Sequence, residues 1–386
     1  MLLANLPALQ VVIPLVSAPL CLLLRNPRHA WAWSSLVSAA VLAVAVMLAH
    51  RVYTEGTISY AIGAWATPWG IEYRIDMAGA MMVLIIAAIS AVVMPYARRS
   101  ILHEIEYKKI ALFYTCYLLC LTGLLGIIVT GDTFNLFVFL EISSLSSYVL
   151  ISLGSTRRAL TAAFQYLVMG TIGATFILIG VGLLYMMTGT LNMVDIAERL
   201  PAVTDTRTIR VAFAFVTVGV SIKLALFPLH IWLPNAYTFA PSVVSAFMAA
   251  TATKAGVYVL LRFFFTVFGS QFSFAAMHVS EIFMLLAIAA ILVASLVAVF
   301  ENNVKRMLAY SSVAQIGYTI LGISLASTAG VTAGMIHMVN HALIKGALFL
   351  ALGCVFLRLG SVTLKDMHGL ARQMPWTMAT FLAGGL

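Results

Sequence analysis

Long apolar segments without charges constrain this chain more than any other feature. Eleven runs of roughly 20 residues follow one another, separated by short stretches with charges, glycine or proline, and a twelfth begins near residue 375. Of the 386 residues, 62% are hydrophobic and 9% are charged, whereas soluble domains carry about 25% charged residues. These features exclude a soluble globular enzyme, a disordered chain and a disulfide-rich scaffold. They predict an all-α polytopic membrane protein.

The spacing of these runs predicts where the chain crosses the membrane. The polar, β-prone stretch 51–76 predicts a short hairpin outside the bilayer, and the stretch 190–209 predicts a short amphipathic helix at the interface. The predicted spans are 6–24, 30–50, 77–97, 110–130, 133–153, 160–187, 210–230, 242–267, 281–300, 307–327, 330–357 and the incomplete twelfth from about 375.

Lysine and arginine are distributed unequally between the two sides of this arrangement. Of the 22 such residues, 13 lie in the loops on one side, 6 on the other and 3 inside spans. Because basic loops stay in the cytoplasm, the N-terminus is predicted to face outward. The first 24 residues have no basic segment and no small-residue cleavage site, so they predict a first span and not a cleaved signal. The net charge of +9 is attributed to these loops, and no nucleic-acid partner is expected.

Several kinds of chemistry find no support in the sequence. The four cysteines lie in apolar runs without a Cys-x-x-Cys pair, which gives no sign of an iron–sulfur cluster or a structural zinc site. A phosphate-binding loop and a catalytic triad are also missing from the sequence. We therefore expect no cofactor, no metal and no catalytic residue in this chain.

The few charges inside spans are the strongest functional signal. A charged side chain at the bilayer centre costs about 2.5–3.5 kcal/mol on the mildest scale, so it usually faces a polar interior and acts there. Glu141 lies near the middle of the fifth span and is followed by four serines. It is predicted to take part in an ion pathway, and the alternative is a buried structural ion pair.

The seventh span combines a buried lysine with two prolines. Lys223 lies at its centre, and Pro228 and Pro234 each deprive a carbonyl of its helical partner. An interrupted helix beside an intramembrane charge is the best sequence indicator of an ion site. An ordinary proline kink with a snorkelling lysine is the alternative. His230 either lines the interruption or caps the helix.

Further titratable groups lie in later spans. Lys254 is surrounded by small residues and threonines in the eighth span, while His337, His341 and Lys345 share one face of the eleventh. Two histidines four residues apart also suit a metal or haem, but a neighbouring cation disfavours both, and a proton relay is the preferred interpretation. Lys305 is predicted as an accessory site residue or as a marker of the cytoplasmic boundary.

Three longer motifs resemble one family of membrane proteins. The segments Asn135–Glu141, Lys223–Ala236 and Val304–Tyr318, followed by the His337/His341/Lys345 pattern, are similar to the antiporter-like membrane subunits. That family includes the D-type subunit of multisubunit (Mrp-type) Na⁺/H⁺ antiporters and the proton-pumping subunits of complex I and membrane-bound hydrogenases. The resemblance covers about residues 75–386, and Gly189–Arg199 is most similar to the D-type subunit.

The resemblance implies a function and a location. It implies a subunit of a monovalent cation (Na⁺)/proton antiporter in the bacterial plasma membrane, with other membrane subunits as partners. Protons would pass through Glu141, Lys223, Lys254, His337, His341 and Lys345. The alternative is a proton-translocating subunit of an NADH:quinone oxidoreductase-like or hydrogenase complex, without its own redox centre.

The resemblance also implies an architecture of inverted five-helix repeats with a broken seventh helix. The expected units are three N-terminal helices with the external hairpin (1–109), a first repeat of spans 4–8 (110–267) and an incomplete second repeat (281–386). About 12 of an expected 14 spans are present, and the family pattern continues beyond Leu386. We therefore expect a C-terminally truncated chain.

Overall fold

The structure is a computed structural model that describes residues 3–24 and 26–385 and is 82% helical. Nine helices in this described part are long and apolar enough to cross a membrane. These features agree with the predicted polytopic membrane protein. The helices are α1 Leu6–Leu23, α2 Pro27–Glu55, α3 Met77–Glu104, α4 Ile110–Val129, α5 Thr133–Ser152, α6 Arg157–Thr188, α7 Met193–Arg199, α8 Arg207–Lys223, α9 Trp232–Phe239, α10 Ser242–Leu261, α11 Val279–Val299, α12 Val304–Ser324, α13 Thr328–Leu359 and α14 Pro375–Gly385.

The polar stretch between α2 and α3 forms the expected hairpin. Strand β1 (Ile58–Ala61) pairs antiparallel with β2 (Glu72–Ile75), with Ile58 opposite Ile75. The hairpin lies against the loop between α4 and α5, where the Gly131 amide donates to the Glu72 carbonyl over 2.8 Å. The amphipathic stretch contains α7, which is only 7 residues long.

Two helices form the centre of the molecule. In α10, 94% of the most apolar segment is buried inside the protein, and in α4 the corresponding share is 89%. Small residues dominate the first half of α10, which allows its neighbours α3 and α13 to approach closely. The polar groups of α10 are therefore enclosed by protein.

The predicted seventh span is divided into α8 and α9. Helix α8 ends at Lys223, and Ala225 adopts a left-handed conformation with φ of 61°. The Trp232 indole N–H donates to the Ile222 carbonyl over 3.0 Å, so one of the carbonyls at the end of α8 is satisfied across the interruption.

The two prolines of this region have different positions. Pro228 lies within the interruption, whereas Pro234 lies inside the first turn of α9. The His230 carbonyl accepts a hydrogen bond from the Leu233 amide over 2.9 Å. The expectation that Pro234 interrupts the helix is therefore corrected, because proline in a first helical turn removes an N–H that needs no helical partner.

The predicted eighth span also differs at its end. The α-helix stops at Leu261 and is followed by a π-helical turn, Arg262–Val267. Arg262 there donates to both oxygens of Asp76, the residue that caps α3, over 2.6 and 2.5 Å. This ion pair fastens the end of α10 to the start of α3.

Candidate functional site

The side chains of Glu141 in α5 and Lys223 in α8 form an ion pair. The Lys223 Nζ lies 3.5 Å from Glu141 Oε1 and 2.7 Å from Ser144 Oγ. Lys223 is 8% exposed, and the Glu141 side chain is 24% exposed. The ammonium group therefore has two acceptors, one charged and one neutral, and lies closer to the neutral one.

Ser144 is distinct among the four serines after Glu141. The other three donate to carbonyls of their own helix: Ser143 to Leu140, Ser146 to Ile142 and Ser147 to Ser143. Ser144 instead accepts from Lys223. The sequence indicated a hydroxyl-rich stretch but could not identify which serine contacts the lysine.

His230 lines the interruption between α8 and α9. Its ring stacks on Phe227 at a centroid distance of 5.2 Å and meets the edge of Tyr310 of α12 at 6.4 Å. Its Nδ1 is buried and has no hydrogen-bond partner among the residues that the structure describes. The histidine therefore lies between the broken helix and α12.

Lys254 and Lys345 are both 2% exposed. Lys254 Nζ donates to the Ala249 carbonyl over 2.5 Å, and Lys345 Nζ donates to the Leu308 carbonyl of α12 over 2.9 Å. The two lysines lie within electrostatic range of each other, because α10 packs against α13. Both buried amines donate to backbone carbonyls and not to carboxylates. The positive charge of the protonated form is therefore only weakly balanced.

His337 and His341 continue the row along α13. Their rings stack with centroids 6.2 Å apart and an interplanar angle of 18°. Both Nε2 atoms are buried without a hydrogen-bond partner in the described part of the chain. They line a cavity of about 530 Å³ that also contains Lys345 and the polar side chains of Gln315 and Asn340. A cavity of this size and polarity can hold water molecules that bridge the ring nitrogens.

Lys305 has a different environment from the other predicted residues. It is 4% exposed, donates to Ser242 Oγ at the start of α10 over 3.0 Å, and lies over the Phe356 ring at 5.0 Å. Ser242 in turn donates to Glu104 at the end of α3. The sequence analysis missed Ser242 and Glu104, because a glutamate at the end of a span usually faces the interface and a serine carries little signal.

The structure thus brings Glu141 and Lys223 into direct contact. It also places Lys254, His341 and Lys345 within electrostatic range of one another. The lysines and histidines among these groups can each accept and release a proton inside the protein. Glu141 stabilises positive charge on Lys223. The arrangement suits stepwise proton transfer between buried groups.

Comparisons with known proteins identify the family of this chain. The family described as NADH:quinone oxidoreductase/Mrp antiporter, transmembrane, matches residues 130–386. The chain is 41% identical over 390 residues to the N-type subunit of the NADH-quinone oxidoreductase of Desulforudis audaxviator, covering 99% of this chain and 76% of the relative. It is 31% identical over 383 residues to the D-type subunit of the Na⁺/H⁺ antiporter of Alkalihalophilus pseudofirmus, with the same coverage of 99% and 76%.

A solved structure has the same fold as this chain. The Mrp complex from Dietzia sp. DQ12-45-1b contains a chain that superposes with a TM-score of 0.90 at 29% identity, covering 100% of this chain and 70% of that one. Sequence and fold therefore agree over nearly all of this chain. The protein belongs to the NADH:quinone oxidoreductase/Mrp antiporter family of membrane proteins.

Proposed function

We propose that this chain is a membrane subunit of a multisubunit Na⁺/H⁺ antiporter in the bacterial plasma membrane. The observation that carries the proposal is the buried Lys223 ammonium, which lies at the end of an interrupted helix between Glu141 and Ser144. The relatives named as D-type antiporter subunits and the Mrp complex support the same function. Other membrane subunits are the proposed partners, and H⁺ and Na⁺ are the proposed substrates.

The geometry around Lys223 suggests how a proton is held and released. When Lys223 approaches Glu141, the carboxylate charge stabilises its protonated form. When it lies on Ser144, as in this structure, that stabilisation weakens and proton transfer becomes easier. A movement of about an ångström by one side chain thus changes how tightly the proton is bound.

The buried lysines and histidines of α10 and α13 extend this pathway. We propose that Lys254 connects the Glu141–Lys223 pair to His337, His341 and Lys345, with Lys305 and His230 as accessory groups. Because two ammonium groups at close range repel each other, a proton that arrives on Lys345 favours release from Lys254. The repeats 110–267 and 281–386 would each supply part of this path, after an N-terminal unit of residues 1–109.

The proposed site is tested in everted membrane vesicles that contain the complete complex. Addition of Na⁺ to vesicles with an established pH gradient should dissipate that gradient. Glu141→Ala and Lys223→Ala should each reduce the initial rate at least tenfold, since a positioned proton-transfer group contributes roughly that much or more. Glu198→Ala, which removes an exposed carboxylate from α7, is the matched control. Unchanged transport in both site variants contradicts the assignment.

A second function is favoured by one observation. The 41% identity to a protein named as the N-type subunit of an NADH-quinone oxidoreductase exceeds the 31% identity to the D-type antiporter subunit. In that case the same proton pathway would be driven by electron transfer in partner subunits. Purification of the native complex in mild detergent, followed by mass spectrometry, separates the two. Small hydrophobic partners alone support the antiporter, whereas subunits that carry flavin or iron–sulfur centres support the redox-driven pump.

A further inference from the structure

A chain of hydrogen bonds at one end of the bundle joins three helices. Lys305 Nζ donates to Ser242 Oγ over 3.0 Å, and Ser242 Oγ donates to Glu104 Oε2 over 3.1 Å. The Ser242 amide also donates to Glu104 Oε2, over 2.8 Å. One hydroxyl group therefore connects a buried amine of α12 to a carboxylate of α3.

This chain lies at a cavity of about 210 Å³. At about 30 Å³ each, roughly seven water molecules fit into that volume. Glu104 and Lys305 line the cavity, together with the loop residues 154–156, the end of α9 and the end of α13. Other charges nearby have partners of their own: Arg158 lies over the Phe239 ring at 5.9 Å, and Arg306 pairs with Glu301 at 2.9 Å.

The position of the cavity links it to one side of the membrane. The ends of α3, α5, α9 and α13 and the start of α12 surround it. These elements adjoin the loops that hold 13 of the 22 lysine and arginine residues. The distribution of basic residues predicts that this is the cytoplasmic side.

The start of α12 brings the cavity close to Lys345. Lys345 donates to the carbonyl of Leu308, which follows Lys305 by three residues. Three residues advance an α-helix by about 4.5 Å. Lys305 therefore lies one helical turn from the hydrogen bond that holds Lys345.

We propose that Glu104, Ser242 and Lys305 form a proton-uptake site that takes protons from the cytoplasm and delivers them to the Lys305 amine, one helical turn from the Lys345 hydrogen bond. The proposal deepens the function proposed above and rests on it. A proton from cavity water binds the Glu104 carboxylate. Glu104 then gives that proton to Ser242 Oγ, while the Ser242 hydroxyl proton passes to the Lys305 amine. Glu104 ends as a carboxylate, Ser242 as a neutral hydroxyl and Lys305 as an ammonium, which is the hydrogen-bond direction that the structure holds.

The relay is tested first by transport in everted vesicles with the complete complex. Ser242→Ala removes the bridging hydroxyl and should slow the initial rate of exchange roughly tenfold or more. Ser242→Thr retains a hydroxyl and should rescue most of this loss. The matched control is Ser245→Ala, which removes a buried hydroxyl from the same turn of α10 that donates to the Tyr237 carbonyl. If Ser245→Ala slows transport as much as Ser242→Ala, or if Ser242→Ala has no effect, the relay is wrong.

The cavity is tested by a measurement that does not depend on transport. In a chain whose four native cysteines are replaced, Lys305→Cys should react with a membrane-impermeant charged methanethiosulfonate reagent in everted vesicles and not in intact cells. Ser312→Cys, two turns deeper on the same face of α12 and buried, should stay unlabelled. Absence of labelling at position 305 from the cytoplasmic side overturns the uptake site.

The two measurements also separate this inference from the function on which it rests. If the unaltered complex shows no Na⁺-dependent exchange, the antiporter function fails, and the labelling result still decides whether water reaches Lys305. If exchange is present and the cysteine at position 305 is not labelled, the antiporter function stands and the uptake site is wrong.

Discussion

Ser144 is the residue that the structure adds to the Lys223 site. It accepts from Lys223 over 2.7 Å, while Glu141 lies at 3.5 Å. Because a hydrogen bond to a charged group contributes about 1.5–3 kcal/mol, the hydroxyl can hold the ammonium away from the carboxylate. We interpret Ser144 as a positioning residue that sets how closely the two charges approach.

Replacing Ser144 should therefore change transport without removing a charge. In Ser144→Ala, Lys223 is left with Glu141 as its polar partner, binds its proton more tightly and releases it more slowly. We expect the initial rate of exchange in everted vesicles to fall roughly tenfold, the lower end of the effect of 1.5–3 kcal/mol. Ser146→Ala is the control, because Ser146 donates to its own helix. Equal rates in the two variants would show that Ser144 has no special role.

At this scale, the sequence indicates which charges lie inside spans but not which residues are their partners. A lysine or glutamate inside an apolar run is conspicuous, because it is energetically costly in a membrane. Ser144 and Ser242 are not conspicuous, since a serine in a helix can satisfy its hydroxyl on a carbonyl of the preceding turn. Only the approach of α8 to α5, and of α12 to α10, determines which serine meets a lysine.

At the scale of elements, the interruption between α8 and α9 depends on one indole. The Trp232 N–H satisfies the Ile222 carbonyl, and its ring stacks on Tyr166 at 4.1 Å and 7°. The sequence located this region through Pro228, but the helix ends five residues earlier, at Lys223. The earlier end requires the left-handed Ala225 and the indole contact, and neither follows from a local sequence pattern.

Trp232→Phe should destabilise the protein while the ring stacking is retained. The substitution removes the indole donor and leaves the Ile222 carbonyl with the Ala225 amide at 3.2 Å, and the loss of one such hydrogen bond costs about 0.5–1.5 kcal/mol. Thermal unfolding of the purified complex, followed with a thiol-independent fluorescence method, should show a lower midpoint. Trp376→Phe is the control, since Trp376 is 86% exposed. A midpoint in Trp232→Phe that matches the control would show that the contact does not support the interruption.

The ion pair between Asp76 and Arg262 joins two distant elements. Burial alone would raise the pKa of Asp76, but the hydrogen bonds and charge of Arg262 hold that pKa below its usual range. A carboxylate with a lowered pKa stabilises the fold above its unfolded pKa. That stabilisation is lost as pH falls through the folded value, so the pair is intact at neutral pH.

Asp76→Asn should lower the free energy of unfolding at neutral pH by about 1–3 kcal/mol, because it leaves the Arg262 charge without its partner. Unfolding in the purified complex at pH 7 measures this change. Glu55→Gln is the matched control, since the Arg51–Glu55 pair is exposed and such pairs contribute about 0–1 kcal/mol. Similar losses of unfolding free energy in both variants would show that the Asp76–Arg262 pair does not stabilise the fold more than an exposed ion pair does.

For the whole molecule, hydropathy identifies apolar helices but does not predict where they lie in the bundle. Helix α11 is the most apolar of the nine, yet 28% of its most apolar segment is buried inside the protein. Helix α10 is the least apolar of the nine, and 94% of its most apolar segment is buried. In a bilayer the most apolar surface can face lipid, while polar groups must be enclosed by protein. The sequence therefore indicates which helices carry the site, but not which helices are neighbours.

The orientation of the chain in the membrane is also a property of the whole molecule. The basic loops predict that the N-terminus lies outside. Thr57 beside the hairpin and Asp205 before α8 should then face the exterior, and Lys365 after α13 should face the cytoplasm; all three are exposed. In a chain whose native cysteines are replaced, Thr57→Cys and Asp205→Cys should react with an impermeant maleimide in intact cells. Lys365→Cys should react only in everted vesicles. Because the uptake cavity opens on the same side as Lys365, the reverse pattern would place the proposed proton uptake on the outer face.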